Sequence, residues 1–230
     1  ERVDLICGKS HAYGVPILID AEETWIQDPI DRIADEMMAR YNGERAIVFN
    51  TYQMYRHDKL ADLKADHLIA KASGYILGVK MVRGAYMEKE RERAAQKGYA
   101  SPIQPTKEAT DRDYNAAVEY CVAHLPKIGL IVASHNERSN GLTTELLQQA
   151  DLPLNHPHLH FSQLYGMSDN VTFNLAKTGC NVSKYLPFGP IKDVIPYLMR
   201  RAQENTSVGG QTSRELGLIQ KELSRRKLKM

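Results

Sequence analysis

A chain of 230 residues is long enough for one large domain or two small ones. Its 43% hydrophobic and 25% charged residues make a globular composition and exclude a disordered one. The formal net charge of +2 supplies no field for nucleic acid, and no apolar run reaches the length of about 18 residues that a spanning helix needs.

In chain order, residues 1–13 read as a helix, followed by a β-like run "VPILIDA" over 15–21. The next helix, 30–41, sets Ile30, Ile33, Ala34, Met37, Met38 and Tyr41 on one stripe. A second apolar run covers 46–53, a helix 58–73, and a third run 76–86. A helix over 111–125 follows, with Asp111 as its expected N-cap. Further β-like runs lie at 128–136, 158–166 and 182–189, and a charged helix at 212–227 closes the chain, with Thr212 and Glu215 in capping-box spacing. The runs are apolar on consecutive positions, as parallel strands covered on both faces are. The order, α(βα)6 plus a final helix, fits a doubly wound sheet or a (β/α)8 barrel two strands short of closure. No composition break marks a second domain. Cys7, Cys121 and Cys180 match no zinc spacing and read as reduced thiols. No secretory leader is visible, and because the chain starts at Glu1 rather than Met, further N-terminal sequence is expected before it.

Each β-like run ends in polar residues. These are Asp20 and Glu22, Asn50 and Gln53, Lys80 and Arg83, His135 and Asn136, Gln163 and Tyr165, and Lys184 and Tyr185. In a parallel β/α fold such ends share one face, where these folds carry their chemistry. A single one would read as a cap or turn residue; a series of them is costly to bury without partners. Only Asp20, Glu22 and His135 could ligate a metal, and Asp20 and His135 stand three strands apart, so no metal site is expected. There is no Walker-type loop, no dinucleotide fingerprint and no GxSxG elbow. The mixture of amide, cation, imidazole and phenol suits a large organic ligand bearing phosphates, and Gly84 with Ala85 would let backbone approach it. On the stretch "PYLMRRAQEN" (196–205), Tyr197, Arg200 or Arg201, and Glu204 share one helix face. That face is either a solvated ion pair or a guanidinium clamp for a carboxylate.

The blocks "VKMVRGAY" (79–86), "PTKEATDRDY" (105–114), "VASHN" (132–136), "FSQLYGM" (161–167), "KYLPFGP" (184–190) and "PYLMRRAQEN" (196–205) together resemble the proline dehydrogenase family, in its monofunctional form also found in mitochondria. They stand in the family's order and cover nearly the whole chain. The resemblance implies an α/β fold, a distorted (βα)8 TIM barrel, here one catalytic domain over 1–230 whose first two strands are not in this sequence. With them would be absent a lysine that the family's second strand brings to the carboxylate site. It implies FAD at the strand C-termini and oxidation of L-proline to Δ1-pyrroline-5-carboxylate, with a membrane quinone as electron acceptor. By motif, Arg200 and Arg201 would bind the substrate carboxylate and Glu204 would orient them. Tyr185 would pack over the ring beside Asp20, and Tyr86, Leu164 and Tyr197 would complete the pocket. The matching flavin positions are Asn50, Lys80, Val82, Arg83, Gly84, Lys107, His135, Asn136 and Gln163. Relatives that prefer hydroxyproline tend to carry a small polar residue where Tyr185 stands, so the resemblance favours proline. Bifunctional bacterial relatives carry Arg, Gln and Trp at the places of Lys80, Asn50 and Met87, so this sequence follows the monofunctional branch. The implied location is a bacterial cytoplasm at the inner membrane, or the matrix side of the mitochondrial inner membrane, with peripheral association. The basic end "LSRRKLKM" (223–230) reads as a solvated helix end or as a contact for anionic lipid. Alternative readings are another barrel flavoprotein such as a folate reductase relative, a metal-dependent barrel lyase, or a non-catalytic barrel remnant that only binds.

Overall fold

A computed structural model describes residues 1–125, 127–207 and 211–227, apart from the side chains of 203–207, 211–215 and 227. The chain forms two compact units, one of residues 1–163 with 169–183 and one of 164–168 with 184–230.

The first unit opens with α1 (Arg2–Tyr13) and alternates β1 (Ile17–Ile19), α2 (Thr24–Tyr41), β2 (Val48–Gln53), α3 (Lys59–Ser73) and β3 (Leu77–Val82). Two helices follow, α4 (Met87–Lys97) and α5 (Lys107–Ala123), then β4 (Ile128–Ala133), α6 (Glu137–Gln149), β5 (Leu159–Leu164), α7 (Asp169–Lys177) and β6 (Val182–Tyr185), of which Leu164, Lys184 and Tyr185 belong to the second unit. The sheet order is sequential from β1 to β6, and each neighbouring pair from β1 to β5 is parallel. The register sets Asn50 beside Val79, Thr51 beside Lys80, and Lys80 beside Ile131.

Side chains alternate across a strand with a period of two, and the register makes one face common to all strands. Val48, Tyr52, Leu77, Val79, Met81, Ile128, Leu130, Val132, Leu159 and Phe161 turn toward the helices and form the core with Met37, Met38, Leu63, Ala117, Val118 and Leu147. The opposite face carries Leu18, Phe49, Thr51, Lys80, Ile131, His160 and Ser162, with a recess of about 280 Å³ toward the strand N-termini. Gly78 and Gly129 are register partners on that face. A Cβ on Gly78 would stand 2.0 Å from the Val48 carbonyl oxygen, and one on Gly129 would stand 2.5 Å from Ala46 Cβ and 3.1 Å from the Phe49 ring.

Asn42, fully buried at the end of α2, ties the layers together. Its Nδ2 donates to the carbonyls of Val48 and Ile76, and its Oδ1 accepts from the N–H groups of Ile47 and Val48. One side chain thereby satisfies four backbone groups at the strand entrances.

Three expectations are corrected. Helix α5 begins at Lys107, capped by Thr106, whose side chain accepts from the Ala109 N–H, so Asp111 lies inside the helix and pairs with Arg83 instead of capping. Helix α2 starts at Thr24 and carries Pro29 inside it. Helix α4 had no counterpart in the sequence reading, because its residues are charged nearly all round and bury only Glu90 and Ala94.

In the second unit, α8 (Ile191–Ser207) contains Pro196 in its second turn, and α9 (Gln211–Lys227) starts within one residue of expectation. Pro196 lies inside the helix, where its missing N–H leaves the Lys192 carbonyl without its usual donor. The expected capping pair Thr212 and Glu215 lies outside the described side chains.

Candidate active site

The C-terminal ends of β1 to β4 gather polar side chains in the first unit. Lys80, on the open face of β3, forms an ion pair with Asp20 just past β1. Two residues on, the Glu22 carboxylate accepts the Tyr86 hydroxyl at 2.5 Å. Glu23 pairs with Lys89 of α4. Thr24 gives both its N–H and its hydroxyl to the fully buried Glu90, at 2.6 and 2.8 Å. Segment 20–24 is thus fastened to segment 80–90 through four of its residues. Glu90 places a carboxylate against the N-terminus of α2, where the helix dipole favours it.

Arg83 uses each of its guanidinium nitrogens. Nε donates to Asp111 at 2.6 Å, Nη1 to Ser134 Oγ at 2.9 Å and Nη2 to Ser139 Oγ at 2.9 Å, with the Tyr114 ring 4.2 Å from Cζ. Lys107 bonds the other Asp111 oxygen at 2.5 Å. Burial pushes the Asp111 carboxyl up, but the bonds and charges of Lys107 and Arg83 outweigh it and hold it below the usual carboxylate range. Burial pushes the Tyr55 and Tyr114 phenols well up, so both stay neutral. Gly84 has φ 126°, and a Cβ there would lie 2.5 Å from the Tyr55 ring, so conformation and space both require glycine. Asn136 caps α6 by accepting the Ser139 N–H at 3.1 Å, and His135 stands half-buried before it.

Strand periodicity separates the amides from the cations. Asn50 lies on the helix-facing side of β2, where its Nδ2 donates to Asp31 of α2 at 2.8 Å and its Oδ1 accepts the Thr51 N–H. Gln163 shares the parity of Leu159 and Phe161; its Nε2 donates to the Ser134 carbonyl and its Oε1 accepts from Thr172 of α7. Both amides brace strand ends, whereas Lys80 and Val82 share the open face of β3.

The second unit brings together the other part of the expected set. Tyr185 and Tyr197 have ring centroids 5.5 Å apart, and Arg201 Cζ lies 5.1 Å from the Tyr197 centroid. Arg200 is exposed, and Glu204 falls outside the described side chains. Leu164 ends β5, and its carbonyl, with that of Met167, accepts from Lys184 Nζ at 3.3 and 2.6 Å. The Tyr165 N–H donates to the Tyr185 carbonyl at 2.9 Å.

Two residues of the site escaped the sequence reading. Ser134 is a junction for Arg83, Asn136, Asn140 and Gln163; its signal is a small polar residue at a buried strand end. Glu90 gave no signal, since it sits in "EKERER", which reads as a solvated face. No group of three or more metal-ligating side chains occurs among the described residues.

Comparison with known proteins bears on this arrangement. The family model for proline dehydrogenase matches residues 2–214. Proline dehydrogenase 1, mitochondrial, of Homo sapiens is 40% identical over 98% of the chain, which spans 38% of that protein. Hydroxyproline dehydrogenase of Xenopus laevis is 39% identical over 98% of the chain and 49% of its own length. Among solved structures, proline utilization A of Bdellovibrio bacteriovorus inactivated by N-propargylglycine superposes with a TM-score of 0.84 at 25% identity, over 90% of this chain and 22% of that one. The chain thus spans less than half the length of each. The fold is the α/β one of the region of that structure on which it superposes, a distorted barrel.

Proposed function

The chain belongs to the proline dehydrogenase family, and on that premise we propose that it oxidises L-proline to Δ1-pyrroline-5-carboxylate, the first step of proline catabolism. The observation that carries this reading is the grouping of Tyr185, Tyr197 and Arg201, two tilted phenol rings in contact with a guanidinium over one of them, in one unit. A guanidinium held over an aromatic face keeps its planar fork oriented, and that fork matches a carboxylate. Arg200 supplies a second cation from the same helix, and Tyr185 covers the ring. The relatives include both proline and hydroxyproline dehydrogenases. The bulk of Tyr185 leaves little room for a ring hydroxyl, which favours proline.

The cofactor of this reading is FAD. The donors at the strand ends suit it: Lys80, Arg83 and Lys107 are cations that, released from their pairs with Asp20 and Asp111, could meet phosphate oxygens. Lys80, Val82, Arg83, Gly84, Lys107, His135 and Asn136 would hold it, with Asn50 and Gln163 bracing their strands. FAD supplies the acceptor for the hydride that leaves the carbon next to the proline nitrogen. The chain's own task is to fix the carboxylate and the ring so that this carbon is held in reacting geometry. A cation at Lys80 stabilises negative charge that develops near it.

A membrane quinone is the proposed final acceptor, reached by peripheral association. No helix among the described residues is long and apolar enough to cross a membrane. The human relative's name places that protein in mitochondria, and we carry over the matrix side of the inner membrane, or its bacterial counterpart.

The experiment is spectroscopic. The purified protein should show flavin absorbance, L-proline should bleach it without oxygen, hydroxyproline should bleach it far less, and a soluble quinone should restore it. A colourless protein, or a yellow one indifferent to proline, would overturn the proposal.

A further inference from the structure

We infer that Glu22 is a positioning residue that fixes Tyr86 for substrate binding; the inference rests on the proposed function and on the family resemblance, which implies that Tyr86 belongs to the proline pocket. Tyr86 is the residue just before α4, and its hydroxyl donates to Glu22 Oε2 at 2.5 Å. What distinguishes this from a chance surface bond is how Glu22 itself is held. Its N–H donates to Gln27 Oε1 at 2.8 Å, and its carbonyl accepts from Gln53 Nε2 at 2.7 Å. Gln27 and Gln53 are both buried, with 1% and 3% of their surface exposed. Gln27 in turn donates to Asp31 at 2.7 Å, and Asp31 pairs with the buried Lys59 at 3.0 Å. A continuous chain of bonds therefore runs from an ion pair between α2 and α3, through Gln27 and Glu22, to a phenol at the strand ends. Flanking contacts keep Glu22 from swinging away: Asp20 is tied to Lys80 and Thr24 to Glu90.

A phenol that donates to a carboxylate has its ring fixed and its oxygen made a better acceptor. A ring so fixed could serve as a wall for a bound five-membered ring, and its oxygen could meet a donor on the substrate. Removing the carboxylate frees the ring without removing it. The Gln variant keeps an acceptor oxygen at the same reach.

The test is a cycle of Glu22→Ala, Glu22→Gln, Tyr86→Phe and the Glu22→Ala/Tyr86→Phe double variant, each checked for fold by circular dichroism. For every protein, kcat and KM for L-proline are measured across pH, and the Kd of cyclopentanecarboxylate, a ring carboxylate that cannot be oxidised, is measured by calorimetry. Glu22→Ala should raise KM and the Kd about tenfold, with kcat within about threefold of wild type. Glu22→Gln should recover most of the loss with an unchanged pH profile, and the double variant should be no worse than Tyr86→Phe. Additive losses, unchanged constants in Glu22→Ala, or a pH profile reshaped by Glu22→Gln would each overturn the inference. If Glu22→Ala fails to fold, Glu22→Gln and Tyr86→Phe decide it: a tenfold loss in the Gln variant, or none in the Phe variant, refutes it. A wild-type protein that does not oxidise proline would instead overturn the functional reading, so the two failures are distinct.

Discussion

Replacing Gly84 by alanine probes the turn that carries β3 into its polar end. The φ of 126° lies where a side chain is strained, at a cost of about 1–2 kcal/mol. The added methyl would meet three Tyr55 ring carbons at 2.5–2.6 Å, and Tyr55 is buried with 3% exposure, so the ring has no free space to enter. Overpacking of that kind costs about 1–3 kcal/mol. Gly84→Ala should therefore lose about 2–5 kcal/mol in urea unfolding, or roughly 4–20 °C in Tm. In a Tyr55→Ala background the steric part vanishes and only backbone strain remains, so the cycle should give a coupling of about 1–3 kcal/mol. An alanine as costly with the Tyr55 ring absent as with it present would refute the steric argument. A Gly84→Ala protein as stable as wild type would refute both parts.

Burial, then Asp66 and Asp31, push the Asp35 carboxyl up to about 6, with Lys59 opposing. A raised carboxyl contributes stability below its unfolded value near 3.8 and loses it as pH rises through 6. Asp35→Asn should therefore be more stable than wild type by about 1 kcal/mol at pH 7–8 after discounting for part exposure, and equal to it below about pH 4; a difference that does not vary with pH would count against it. Asn42→Asp keeps the acceptor for Ile47 and Val48 but loses the donors to Val48 and Ile76 and buries a charge. It should cost about 3–5 kcal/mol in chemical denaturation, and a mild loss would mean the strand entrances hold without it. Arg201→Ala should raise KM for proline at least tenfold while the flavin spectrum is retained; unchanged KM would remove Arg201 from the clamp.

The strands were legible, since each β-like run contains one, yet only β2 and β4 are buried almost throughout, as the sequence pattern implied for all, whereas β3, β5 and β6 alternate in burial. Their ends were harder. "FNTYQ" offers Asn50 and Gln53 as equal candidates, yet the period of two sends Asn50 to Asp31 and Gln53 to Glu22. Burial of every β2 residue erases the alternation that would reveal which side faces the helices. Only the pairing register, Thr51 beside Lys80, settles it. Asp111 looked like a cap because it opens an amphipathic pattern, but Thr106 caps the helix five residues earlier and Arg83, just past β3, claims the carboxylate. Helix α4 was hidden by composition, since the face it buries is a glutamate and an alanine. The carboxylate contacts of segment 20–24 join residues some sixty positions apart, and nothing local announces them.

Gly78 and Gly129 stand side by side on β3 and β4, and the space their missing side chains leave is taken by Ala46 and by Val48 and Phe49 at the start of β2. Neither the vacancies nor their filler can drift independently. A methyl at 129 needs ground surrendered at Ala46 or Phe49, whereas one at 78 meets a main-chain oxygen, which no side-chain substitution can move. Position 129 can therefore change by compensated pairs, and position 78 only with a shift of the strand itself. A library randomised at 46, 49, 78 and 129 and sorted for folded protein should enrich larger residues at 129 together with smaller ones at 49, and return glycine at 78 almost without exception.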